Sequence, residues 1–170
     1  MFRRLTVVVL PTAFLVAAII PAEGITPSPP ATLASAPAVS PTPTQDENQA
    51  AVLQVLQLQQ IAWNHGDIEG FMNGYWRSHD TVFVSGDTVT RGWQTVHDRY
   101  RSKYADSEKM GQLAFSEVEV HMFGYDGALV FGRWQLQRTN DNPHGRFTLV
   151  LRKMREGWKI VHDHTSEGME

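Results

Sequence analysis

The residues best equipped for chemistry lie in the last strand-like run of the chain, Trp158-Lys-Ile-Val-His-Asp-His-Thr-Ser166. Strand alternation puts Trp158, Ile160, His162 and His164 on one face and sends Val161 and Asp163 to the other. Two imidazoles beside a Trp and an Ile describe either the wall of a small-molecule pocket or two structurally satisfied histidines. An imidazole titrates near neutral pH and can both take and return a proton, so His162 and His164 are the candidate general base and its partner. The same pair can be read as metal ligands, with a third ligand to come from His121 or Asp87. No acid joins that face, however, and an H-x-H pair without a placed third ligand does not define a metal centre. No metal and no cofactor are expected.

Arg133 is the candidate ligand-binding cation. It sits inside a strand between Gly132 and Trp134, and a guanidinium held in a half-buried wall suits bidentate binding of a carboxylate or phosphate. The alternative is a solvent-facing Arg133 paired with Glu117 or Glu119 on the neighbouring strand. Trp63, Trp76 and Tyr100 lie on helical stripes and are packing residues first, though one or two can reach a cavity and stack on a ligand. His97, one residue past Val96 on such a stripe, either borders the cavity mouth or is exposed.

The elements that must position these residues can be read from turn and capping signals. Thr44-Gln-Asp-Glu47 matches a capping box ahead of a long amphipathic helix over residues 46–64, which Gly66 stops. Asp67 can cap a short second helix over residues 68–76. Residues 81–84 and 88–90 form a small hairpin around Gly86-Asp87, and Trp93, Val96, Tyr100 and Tyr104 line a third helix over residues 92–104. Four strands follow, over residues 113–123, 128–139, 146–155 and 158–165, separated by turn sequences. A turn at Glu156-Gly157 pairs Leu151 with His162 and Leu149 with His164, on the same apolar face as Phe147. A slip of one residue reverses that assignment. Helices first and a meander last is an α+β pattern, with the helices packed on one face of a curved antiparallel sheet.

The 170 residues suffice for one core-forming domain, and the first 24 read as an export signal. Arg3 and Arg4 supply its basic start, residues 5–20 are apolar, and Ala22-Glu23-Gly24 offers small residues for cleavage. Pro11 interrupts an apolar run already short of the roughly 20 residues a spanning helix needs, so no stable membrane insertion is expected after cleavage. The expected location is secreted or periplasmic. Residues 25–44, rich in Pro, Ala, Ser and Thr, read as a tether that is either a spacer or a pro-segment. The folded domain then spans residues 45–170. The chain has no cysteine, which removes disulfides and thiolate chemistry, and its formal charge of −3 provides no basic stripe for nucleic acid.

Asn64-His-Gly-Asp67, Thr90-Arg-Gly92, Gly132-Arg-Trp134, Gly145-Arg-Phe-Thr148 and the 158–166 run together resemble the SnoaL-like, ketosteroid-isomerase-like group over residues 46–166. That group has the nuclear transport factor 2-like, or cystatin-like, fold, and the chain is also similar to the association domain of calcium/calmodulin-dependent kinase. The resemblance implies a cone-shaped sheet wrapped around three N-terminal helices, a deep cavity at its open end and a homodimer through the outer sheet face. It does not imply one function. By position, the oxyanion tyrosine and shuttle aspartate of a ketosteroid isomerase fall at Gln59 and near Val84-Ser85, which cannot do that work. Three readings stay open. One is a cavity for a small polar or anionic ligand, and another is a cofactor-independent isomerase, cyclase or hydrolase using a His base. The third is an oligomeric interaction domain working through an outer face with Trp134 and Val150.

Overall fold

The computed structural model describes residues 43–168. The signal-like stretch and residues 25–42 of the tether lie outside the described residues.

Helix α1 (Gln45–Asn64) starts where the capping signal stands. Thr44 Oγ1 accepts from the Glu47 N–H at 3.2 Å, and the Glu47 carboxylate accepts the Thr44 N–H at 2.7 Å. Gly66, at φ 74°, lets the chain leave the helix in a conformation a side chain would resist. Helix α2 (Ile68–Met72) follows, capped by Asp67 Oδ1 on the Gly70 N–H and four residues shorter than expected. Strands β1 (Val82–Ser85) and β2 (Thr88–Arg91) form the small hairpin, and helix α3 (Trp93–Lys103) the third helix. A single turn, α4 (Ser107–Met110), was not expected. The meander is β3 (Gln112–Phe123), β4 (Gly127–Gln137), β5 (His144–Met154) and β6 (Gly157–Glu167).

The six strands form one open sheet in the order β2-β1-β6-β5-β4-β3. Its pairings are antiparallel apart from β1 against β6, which is parallel, a correction to the all-antiparallel expectation. Chain reaches β1 through the helical corner rather than a hairpin from β6, so no turn dictates opposite directions there.

Two β-bulges curl the sheet. In β3, Glu117 and Val118 together oppose Gly132, with Glu117 at φ 51°. Before the bulge the inward residues are Leu113 and Phe115; after it they are Val118, Val120 and Met122. In β6, Ile160 pairs with Leu151 and His162 with Val150, leaving Val161 as the extra residue. An inserted residue bends its strand, increases the local twist and reverses the facing of everything beyond it. The concave face and the helices share one core, in which Val52, Leu56, Trp63, Phe71, Met72, Leu151 and Ile160 are buried.

Candidate active site

The bulge in β6 decides which groups enter the cavity. Before it, Trp158 and Ile160 face inward; after it, Asp163 and Thr165 do, while His162 and His164 turn outward. Asp163, expected on the outer side, is therefore the buried group, at 4% exposure. The two histidines expected inside lie on the convex face instead. His162 stands between Val150 and Val82, and the exposed His164 between Thr148 and Val84. Burial, then the neighbouring His164 and Arg91, hold the His162 imidazole below its ordinary pKa.

Arg133 is corrected in the same way. Gly132 and Trp134 take the inward positions of β4, and a side chain at Gly132 would put its Cβ 2.7 Å from the Phe147 ring. Alternation then sends Arg133 outward, opposite Arg146 on β5 and Ser116 on β3. Glu117 pairs with Arg146 at 2.5 Å, not with Arg133. Trp134, expected on the outer surface, lines the cavity, and its indole N–H donates to the Ser166 carbonyl at 3.0 Å.

Trp63 and Tyr100 also line the cavity. Trp63 is fixed by its indole N–H on the Met110 carbonyl, 3.1 Å, and by edge contacts with Phe71 and Tyr104. Trp76 and His97 do not reach it. Trp76 is half-buried beside β6, its backbone N–H donating to the Ile160 carbonyl. His97 is buried at the contact of α2 with α3, its Nε2 2.5 Å from Glu69 Oε1 and its Nδ1 3.1 Å from Asp98 Oδ1. Its ring stacks on Trp93 with centroids 5.0 Å apart. Asn64 ties the helical corner to β3 by a two-way bond with the Leu113 backbone, at 2.7 and 3.0 Å.

The cavity encloses about 100 Å³ between α1, α2, α3 and the concave sheet. Its wall is mostly aromatic, with Trp63, Phe71, Phe83, Tyr100, Phe115 and Phe147 among its residues. Gln59 and Ser85 are there too, at the positions the ketosteroid-isomerase comparison singled out. The Gln59 amide N–H donates to the Phe71 carbonyl at 3.1 Å, so its side chain serves the helical corner.

Into this apolar wall projects one buried carboxyl. Tyr75 donates its hydroxyl to Asp163 Oδ2, and Thr165 donates its own to Oδ1, both at 2.6 Å. The Tyr100 hydroxyl stands 3.5 Å from that of Tyr75, at the outer limit of a hydrogen bond. Burial raises the Asp163 pKa from 3.8 to about 6, against the opposing pull of the two donated hydrogen bonds. Burial, and then the Asp163 charge, push both tyrosines well above the ordinary phenol value, so they stay neutral donors. A carboxyl poised near 6, with neutral hydroxyls beside it and no water-rich surface around it, can exchange a proton with a bound molecule at physiological pH.

The SnoaL-like domain family matches residues 52–170 of this chain. The chain belongs to that family. Among solved structures, this SnoaL-like domain is similar to an NTF-2-like protein of unknown function from Shewanella oneidensis, with 36% identity, 69% of this chain and 98% of that one covered, and a TM-score of 0.67. It is also similar in fold to a ketosteroid isomerase-like protein from Erwinia carotovora atroseptica, at 21% identity, with 74% and 99% of the two chains covered and a TM-score of 0.59. A cystatin-like fold protein from Burkholderia xenovorans stands at 23% identity, 74% and 96% coverage, and a TM-score of 0.60. No curated protein matches the sequence. The cone-shaped α+β fold expected from the sequence is thus the fold of the family and of these neighbours.

Asp163 is the buried cavity carboxyl that reading by alternation sent outward. The trace it leaves in the sequence is the apolar doublet Ile160-Val161, a break in the inward-outward rhythm of the strand.

Proposed function

We propose that the cavity of this SnoaL-like domain is a cofactor-independent proton-transfer site of the isomerase type, with Asp163 in place of a histidine as the base. The observation that carries this reading is a carboxyl of raised pKa buried in an aromatic cavity and held by two hydroxyls. Asp163 takes a proton from a carbon next to a carbonyl in the bound substrate. The electron pair of that C–H bond moves into the new C=C bond, and the carbonyl π pair moves onto oxygen. The neutral Tyr100 hydroxyl, which lines the cavity while Tyr75 donates to Asp163, donates to that oxygen. As the oxygen pair re-forms the carbonyl, the protonated Asp163 returns its proton to the same carbon or, where a second C=C is conjugated with the enolate, to its far (γ) carbon. An engineered dry cavity of about 150 Å³ holds benzene, so an enclosed space of this size limits the buried part of the substrate to about one ring. The basic and apolar pattern of residues 1–24 supports export of the domain. The half-buried Phe131, Val150 and Val84 on the convex face support pairing with a second copy.

Deuterium exchange tests the chemistry. A panel of small enolisable ring ketones, 2-indanone among them, is incubated with the protein in D2O and followed by NMR. The wild-type chain is expected to accelerate α-exchange of at least one, with a rate that rises with pH through about 6 and then levels, because the ionised carboxylate is the base. Asp163→Asn is expected to lose about 10²- to 10⁴-fold of that acceleration. Equal exchange by wild type and Asp163→Asn would remove Asp163 from the chemistry.

A further inference from the structure

We infer that the molecules taken into this cavity are small ring carboxylates, whose anionic group is held at the mouth by Arg99 and Lys103 of α3. The inference rests on the proton-transfer reading of the same cavity and adds to it the class and orientation of the substrate. Arg99 and Lys103 are one helical turn apart, and both line the cavity. The Arg99 guanidinium carbon lies 5.5 Å from the centre of the Phe83 ring, and Lys103 Nζ lies 5.4 Å from the centre of the Tyr104 ring. Both rings belong to the cavity wall, so the half-buried Arg99 and the exposed Lys103 each lie beside the lining at its solvent edge.

Neither cation forms an ion pair among the described residues, whereas Lys109, Arg138, Arg146 and Arg152 each do. Arg138 adds charge nearby. Its guanidinium carbon is 6.0 Å from the Tyr104 ring centre, its Nη1 is 3.4 Å from Asp141, and its Nε is buried without an acceptor. Opposing these is Glu167 of β6, which also lines the cavity. Arg99 and Lys103 against Glu167 leave the lining beyond Asp163 net positive.

The charges order the ligand as well as attract it. Asp163 is ionised above about pH 6 and repels an anion from the enclosed end, while the mouth attracts one. A flat ring satisfies the aromatic wall between them. A ring carboxylate therefore enters ring first, brings its reacting carbon to Asp163 and leaves its carboxylate on α3. This anion site takes the role for which the sequence put forward Arg133.

Titration calorimetry of the full-length chain with phenylacetate and with its neutral analogue phenylacetamide tests the inference. Phenylacetate is expected to bind at least about tenfold more tightly at low ionic strength, as a charge-assisted contact implies. The preference should shrink with added salt and disappear in Arg99→Gln/Lys103→Gln. Both side chains project from the outer part of α3, and a circular dichroism melt of the double variant checks that it stays folded. Asp163→Asn should keep the preference, since it leaves the mouth intact. Equal affinity for the two probes, binding of neither, or a preference that survives in the double variant overturns the inference. The deuterium-exchange assay judges the proton-transfer reading separately, because it does not depend on charge at the mouth.

Discussion

Replacing Asp163 with Asn is expected to stabilise the protein near neutral pH while removing its proton-transfer chemistry. The carboxyl has a pKa of about 6 in the fold, against 3.8 for an unperturbed aspartate. The folded state therefore holds the proton more tightly than the unfolded chain, and stability falls as pH rises from about 4 through 6. Once the group is ionised in both states the cost is constant, at about 3 kcal/mol. Asn carries no such cost. Its amide must still fit two hydroxyls that donate to Asp163, so one hydroxyl has to rotate and accept instead. That adjustment does not depend on pH. The difference in unfolding free energy between Asp163→Asn and wild type should consequently grow by about 2.5 kcal/mol in favour of the variant between pH 4 and pH 7.5. Urea unfolding at the two pH values measures it. A difference that stays constant would mean that Asp163 is not a strained, buried carboxylate in the native state.

Trp63→Ala should have the largest effect of any single change in the cavity wall, a loss of about 3 to 5 kcal/mol. The indole is 3% exposed and meets Phe71, Tyr100 and Tyr104 at centroid distances of 5.0, 6.1 and 4.7 Å. Its N–H also satisfies the Met110 carbonyl at the end of α4. Truncation removes the packing of α1 against α2 and α3 and leaves that carbonyl unpaired. Trp63→Phe keeps most of the ring area and should cost less than half as much. Denaturant midpoints of the two variants test this, and a loss below about 1 kcal/mol for Trp63→Ala would show that the cavity collapses around the gap.

The architecture was legible because its signals are local. The capping box at Thr44 and Glu47, the glycine stop at Gly66, the Asp67 cap and the turn sequences between strands each act within a few residues of where they stand. Trp63 and Tyr100 were legible as cavity candidates, but the strand-borne part of the site was not, because it depends on register across strands. The two-residue turn falls at Arg155-Glu156, since Met154 pairs with Gly157, rather than at Glu156-Gly157. A displacement of two residues in pairing preserves faces, so Leu151 and Ile160 remain inward. The bulge at Val161 then adds one residue, and an odd shift exchanges His162 and His164 for Asp163 and Thr165. Alternation has no term for a backbone insertion. The apolar phase change in β3, from Leu113 and Phe115 to Val118 and Val120, is the same device written more visibly, because apolar residues continue on both sides of it. In β6 the residues beyond the bulge are polar on both faces, so nothing in their hydropathy says which set is buried.

Arg133 failed for a related reason. A guanidinium flanked by Gly and Trp is equally compatible with either face, and the choice belongs to the Phe147 ring, which fills the space over Gly132. The cations that do line the cavity, Arg99 and Lys103, are on the helix whose aromatic stripe supplied the candidate Tyr100, but the charges beside it were not singled out. Tyr100 lies between them in sequence, and it is this shared turn that brings both the phenol and the charges to the cavity.

The central claim is that Asp163 holds a readily exchanged proton inside the cavity, and its carboxyl carbon reports that directly. Aspartate labelled with ¹³C is followed by NMR across the pH range in the full-length chain, the Asp163 resonance being the one absent from Asp163→Asn. The account predicts a titration midpoint of about 6. A midpoint at or below about 4, the range of an ordinary aspartate, would contradict it.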